Sequence, residues 1–221
     1  TINRKSDELE LEAIKYFART VLENDTTGHD WKHALRVESN VRLLSDADFS
    51  EAEMDVLFAS AWLHDTIDEK LDEDKRQSIG TIRTLLEENG ATANQLEEIL
   101  DIIQNLSYSK NIEKKRTLSH LGQIVQDADR LDAIGAIGIA RTFYYGGHRG
   151  NAFYDDTKPR TIKQLTEENY RTESSVLNHF YEKLLLLEET MNTEAGKVEA
   201  RVRTQFMQTF LDRFYEEISD S

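Results

Sequence analysis

Apolar residues in this chain recur mostly every three or four positions, the spacing that gathers them on one face of an α-helix. Leu9, Ile14, Phe17 and Val21 make the first such stretch, which ends at the polar pair Glu23-Asn24. Asp30 is placed to cap a second helix, since its carboxylate can accept from the free amides of the first turn. Ala34, Val37, Val41 and Leu44 share one face of that helix. Ser50 is placed to cap a third, where Met54, Leu57, Phe58, Ala61 and Trp62 run inward as far as His64. Residues 79–86 and 96–103 predict two more helices, and 121–132 another, apolar through Ile124, Val125 and Ala128. Residues 165–191 and 198–214 read as long C-terminal helices. Two segments break the pattern. Residues 64–74 are dense in acids, and residues 145–160 hold Gly146, Gly147, Gly150 and Pro159. Glycines in the second segment predict a loop able to adopt positive φ and to close over a ligand, or a plain inter-helix turn.

The pattern predicts an all-α fold in a single domain over 1–221, with a small C-terminal helical lobe over about 161–221 as the alternative. Composition agrees. Pro159 is the only proline in 221 residues, and long helices exclude interior proline because it removes a donor and clashes with the preceding turn. Cysteine is absent, which excludes disulfides and thiolate-ligated metal. The longest apolar run is Leu184 to Leu187, far short of a membrane span, so the expectation is a cytoplasmic protein without a membrane partner. Net charge is −15, from 27 basic and 42 acidic residues, and such a surface repels long nucleic acids. Small phosphorylated substrates stay open, because a bound cation reverses the local field.

The chemistry-bearing residues lie in three places. His64-Asp65 follows the apolar run Ala59 to Leu63, so both side chains must be hydrogen-bonded or metal-bound to escape a desolvation penalty. Asp129 lies four residues after Val125 and eight after Leu121, on the apolar face of its helix, whereas Asp127 points elsewhere. A carboxylate so placed is either paired with an arginine, such as Arg36 or Arg141, or bound to a metal. The third place is His29-Asp30-Trp31-Lys32-His33, with two histidines one helical turn apart.

Together these pieces resemble the HD superfamily of metal-dependent phosphohydrolases, in which a histidine, a His-Asp pair and a distant aspartate recur. The pieces here are His29 to Val37, Leu63-His64-Asp65, and Gln126 to Ala136. The likeness is greatest to the bacterial subfamily of small predicted HD hydrolases and runs along most of the chain. Tyr144-Tyr145-Gly146-Gly147 and His179-Phe180-Tyr181-Glu182-Lys183-Leu184-Leu185 are also similar to that subfamily. The resemblance implies an HD-domain helical bundle with additional C-terminal helices. It implies metal ligation by His33, His64, Asp65 and Asp129, with His29 as a neighbour of the site or a cap.

Two imidazoles and two carboxylates suit Mn²⁺ or Mg²⁺, with Fe²⁺, Co²⁺ and Ni²⁺ as further candidates. Asp68 is the first candidate for a catalytic carboxylate and Glu69 the second; a solvated acidic loop is the alternative. Arg36, Lys70, His29 and His148 are candidates for binding the substrate. Phe143 or Tyr144 could stack on a base, though aromatics so spaced also build cores. The expected partner is a small phosphorylated substrate, a nucleotide. Cleavage of nucleoside triphosphates to monophosphate and pyrophosphate ranks first, then dephosphorylation of monophosphates, then hydrolysis of guanosine tetraphosphate. A non-catalytic metal- and nucleotide-binding regulatory module and a helical scaffold are the competing classes. The oligomeric state is left open, a homodimer included.

Overall fold

The fold is known from a computed structural model that describes residues 9–23, 30–45, 48–68, 71, 73–106, 117–161, 164 and 174–219. Among these there are nine α-helices and no strand. In chain order they are α1 (Leu11–Leu22), α2 (Trp31–Leu44), α3 (Glu51–Leu63), α4 (Ile79–Glu88), α5 (Ala93–Asn105), α6 (His120–Asp132), α7 (Gly135–Arg149), α8 (Val176–Glu182) and α9 (Glu194–Ser219). No helix of the described residues is long and apolar enough to cross a membrane.

The chain divides into two compact units. One comprises Thr1–Ser107 with Arg116–Ala128, the other Tyr108–Lys115 with Asp129–Ser221. The division falls inside α6, which runs unbroken from His120 to Asp132.

The first unit is organised around α3. Every residue from Val56 to Leu63 is buried, as expected of a helix apolar on all sides. Packed on it are α1, α2 and α5. Its start is a reciprocal capping box, in which Ser50 Oγ accepts from the Glu53 amide at 3.3 Å and Glu53 Oε2 accepts from the Ser50 amide at 2.8 Å. α2 starts on the expected cap, Asp30 Oδ1 accepting from the His33 amide at 2.9 Å. One buried acid ties three of these helices together. Glu38 of α2 accepts from Trp62 Nε1 of α3 at 2.8 Å, pairs with Lys15 of α1 at 3.1 Å, and pairs with Arg42 at 2.9 Å.

The second unit centres on aromatic rings. Phe143 of α7 meets Phe153, Phe180, Phe210 and Phe214 at centroid separations of 5.3 to 6.2 Å. Phe143 is therefore half-buried among other rings, while Tyr144 beside it is 69% exposed.

Two expectations fail here. The glycine pair Gly146-Gly147 does not open a loop: α7 continues through both to Arg149 and stops at Gly150, whose φ of +75° makes it a left-handed cap. Gly146 serves close packing instead, because a Cβ there would overlap Val176 Cγ2 of α8. Nor is 165–191 one long helix. Of its described part, α8 ends at Glu182 and two short 3₁₀ turns follow, Leu184–Leu186 and Glu188–Thr190. A run of four leucines fills a core whichever helix type carries it, so the apolar pattern could not distinguish them.

Gly146→Ala is expected to lower stability by about 1–3 kcal/mol through overpacking. Pairing it with Val176→Ala should recover part of that loss, as read from urea unfolding. An unchanged midpoint for Gly146→Ala would contradict the close approach of α7 and α8.

Candidate metal centre

Three helices deliver the candidate ligands. His33 is in the first turn of α2, on the same face as Val37, Asn40, Val41 and Leu44, and is 1% exposed. The cap bond from Asp30 fixes the backbone at His33 itself. His64 and Asp65 follow the last residue of α3 and are likewise buried. The chain there keeps turning, with the Thr66 amide donating to Leu63 O at 3.0 Å and the Asp68 amide to Asp65 O at 3.1 Å. Continued turning swings two adjacent side chains toward one point, although neighbours in a helix face about a quarter turn apart. Asp129 comes on α6, one residue after Ala128, whose carbonyl accepts from the buried Asn40 Nδ2 of α2 at 2.9 Å.

His33, His64 and Asp129 each offer a donor atom within 4.8 Å of the others. Asp65 sits against both rings. Its Oδ2 is 3.3 Å from His33 Nε2 and its Oδ1 is 3.3 Å from His64 Nε2, and the two Nε2 atoms are 3.3 Å apart. His64 Nδ1 lies 2.9 Å from Ala61 O. A carbonyl only accepts, so Nδ1 carries the proton and Nε2 turns its lone pair into the cluster. A proton on His33 Nε2 could satisfy His64 or Asp65, but not both. A dication satisfies all the donors at once. Neighbouring ligands in an octahedral shell with bonds of about 2.1 Å lie about 3 Å apart, close to the spacing seen. The donor set therefore fits a divalent ion.

The other candidates are placed less closely. Arg36 is half-buried on α2, one turn beyond His33, and engaged with other groups. Asp68 is half-buried at the end of the turn that carries Asp65 and also has partners. His148 is exposed in the last turn of α7, where a basic side chain complements the helix dipole. His29, Glu69 and Lys70 lie outside the described residues. Arg141, a candidate partner for Asp129, pairs at 2.6 Å with buried Asp132.

Several charged groups near the core were not singled out by pattern. Asp127 is fully buried and has partners, although its helical position points it away from the apolar face. Glu182 accepts from Arg160 through Nε at 3.0 Å and Nη2 at 2.6 Å. Burial works against the carboxylates of Glu38 and Glu182. Hydrogen bonds from Arg42, Trp62 and Lys15 in the one case, and from Arg160 and Ser174 in the other, hold both below the usual glutamate pKa. Burial pushes the Lys183 ammonium down to about 8, with Asp129 opposing that shift and Arg141 and Arg130 adding to it. Lys183 stands in the subsidiary motif His179 to Leu185, the one signal in the sequence that pointed to it.

Comparison with known proteins extends the likeness over most of the chain. Residues 30–134 match the family model described as the HD domain. The Bacillus subtilis protein YpgQ is 32% identical over 208 residues, covering 94% of this chain and 93% of its own. The crystal structure of YpgQ in complex with ADP superposes with a TM-score of 0.75 at 30% identity, covering 94% of both chains. A protein from Lactobacillus plantarum superposes with a TM-score of 0.82 at 39% identity, over 96% of this chain and 98% of that one. An HD-superfamily hydrolase from Bacillus thuringiensis gives 0.74 at 37% identity, over 96% and 98%.

His179, half-buried and outside the cluster, sets an acid limit on stability. Desolvation, reinforced by Lys183, lowers His179 from 6.5 to about 4, so the unfolded chain binds its proton more readily. Its contribution is complete above pH 6.5 and is lost as pH falls toward 4. Between pH 7 and 5 the unfolding free energy is expected to fall by up to about 2 kcal/mol from this group, and less in His179→Gln. Equal pH slopes for the two proteins would contradict it.

Proposed function

The chain belongs to the HD-domain family of metal-dependent phosphohydrolases, and we propose that it cleaves nucleoside triphosphates to the monophosphate and pyrophosphate. The observation that carries the metal-dependent reading is the convergence of His33, His64 and Asp129 with Asp65 wedged against both imidazoles. On this reading all four are ligands, of Mn²⁺ or Mg²⁺ first, because the set is two nitrogens with carboxylate oxygens and no sulfur. Asp65 and Asp129 would formally neutralise the dication, and four protein ligands would leave positions for water and a phosphate oxygen. When bound, the ion polarises the phosphoryl oxygen and lowers the pKa of water.

The nucleotide substrate is supported by YpgQ, which is similar along nearly its full length and whose crystal structure holds ADP. A ligand with a phosphoanhydride favours cleavage within a phosphate chain over removal of a single phosphate. In that reaction the oxygen of water bonds to the α-phosphorus, the bond to the α–β bridging oxygen breaks, and pyrophosphate leaves with that oxygen. Asp68 takes the proton from the attacking water, or steers it, from the turn that also carries Asp65. His33 and His64 keep their Nε2 lone pairs aimed at the centre, the second through its Nδ1 contact with Ala61 O. Arg36, one turn after His33, binds phosphate with a planar fork.

Purified protein with Mn²⁺ should release pyrophosphate from one or more nucleoside or deoxynucleoside triphosphates. No turnover of any nucleotide by metal-loaded protein would sink the reading. Asp68→Asn should keep its metal and lose turnover by about 10²–10⁴-fold, the usual worth of a general base. Retained turnover would move the proton to Glu69 or to bound water.

A further inference from the structure

Asn40 is an amide on the apolar face of α2. It shares that face with His33, Val37, Val41 and Leu44, about two turns beyond His33, and is 6% exposed. Its Nδ2 donates across to Ala128 O of α6 at 2.9 Å. Helix α2 packs on α3 and, less closely, on α1; among the described residues α6 is not one of the helices packed closely on it. A hydrogen bond therefore ties the helix of His33 to the helix of Asp129 where close packing does not. Ala128 lies inside α6, and a carbonyl there already has the amide four residues on as its donor, so the helix does not need Asn40 to satisfy its own backbone. What the bond adds is placement. The peptide unit that carries Ala128 O is planar and stiff, and it ends at Cα of Asp129. Holding that oxygen fixes the point from which the Asp129 side chain springs.

We infer that Asn40 is a positioning residue: through the Ala128–Asp129 peptide it sets the separation of His33 and Asp129, and with it the affinity for the divalent ion. This rests on the metal-dependent reading above. The competing role is a hydrogen bond that only stabilises the fold. The two differ in what the metal does. A bond that only stabilises is missed equally by metal-free and metal-loaded protein. A positioning bond also governs the ion, so the variant's deficit in melting temperature grows when Mn²⁺ is added.

The test uses the full chain with Mn²⁺ as the probe. The spin-resonance signal of the free ion is followed during titration, and melting is read with Mn²⁺ and with chelator. Asn40→Leu, which keeps the branched shape and removes the donor, should weaken Mn²⁺ binding by about 10-fold, the low end for a partner that orients a ligand. Its deficit in melting temperature should be larger with Mn²⁺ than with chelator. Should that variant fail to fold, Asn40→Ser carries the same test, because its short hydroxyl turns back to its own helix. Val41→Ala, the neighbour on α2, loses buried methyls and should melt lower while keeping Mn²⁺ affinity within about twofold. Unchanged affinity in the Asn40 variant, a deficit equal with and without the ion, an equal loss in Val41→Ala, or no Mn²⁺ binding by the wild type would overturn the inference. Unchanged affinity in a protein that turns over nucleotide would sink this inference alone. A wild type that binds Mn²⁺ with the expected dependence on Asn40 but turns over no nucleotide would leave the positioning role standing and sink the pyrophosphohydrolase reading alone.

Discussion

Two imidazole Nε2 atoms and a carboxylate held 3.3 Å apart in a buried place set the terms for this fold. Groups of that kind repel one another and forfeit hydration, costs that a shared cation would relieve. Much of the nearby architecture keeps those atoms from drifting apart. The Asp30 cap pins the first turn of α2, Asn40 holds the carbonyl next to Asp129, and the Ala61 carbonyl fixes the His64 ring. Each is a hydrogen bond worth about 1 kcal/mol alone. Their importance lies in fixing distances.

Helix α3 shows how stability and chemistry are combined. Its eight buried residues from Val56 to Leu63 anchor it among α1, α2 and α5, and His64-Asp65 follows directly. A rigid element therefore delivers the pair. Glu38 sits nearby as a second buried acid, but its lysine, arginine and tryptophan partners satisfy it within the protein. The contrast is instructive. Glu38 is surrounded by donors of the protein, whereas Asp65 lies against two ring nitrogens that can also bind a metal.

Helix positions were legible in the sequence wherever an apolar stripe met a capping residue. Asp30 and Ser50 marked the starts of α2 and α3. The stripe through Ile124, Val125 and Ala128 singled out Asp129 over Asp127, yet Asp129 is half-buried beside His33 and His64 while Asp127 is fully buried. Together with the family resemblance, this was enough to name the residues that converge. The region 133–149 was harder, because Gly146 and Gly147 have the local signature of a loop while a neighbour in space, Val176, is what calls for a glycine. Long-range pairs were invisible for the same reason. Nothing local to Asp132 or Glu182 announces Arg141 or Arg160.

The central claim is that both imidazoles bind one ion. Electron spin-echo envelope modulation of protein loaded with one equivalent of Mn²⁺ tests it most directly. The account predicts nitrogen coupling from two histidines, reduced to one in either His33→Gln or His64→Gln. Absence of nitrogen coupling in the wild type, or coupling unaltered by both substitutions, would contradict it.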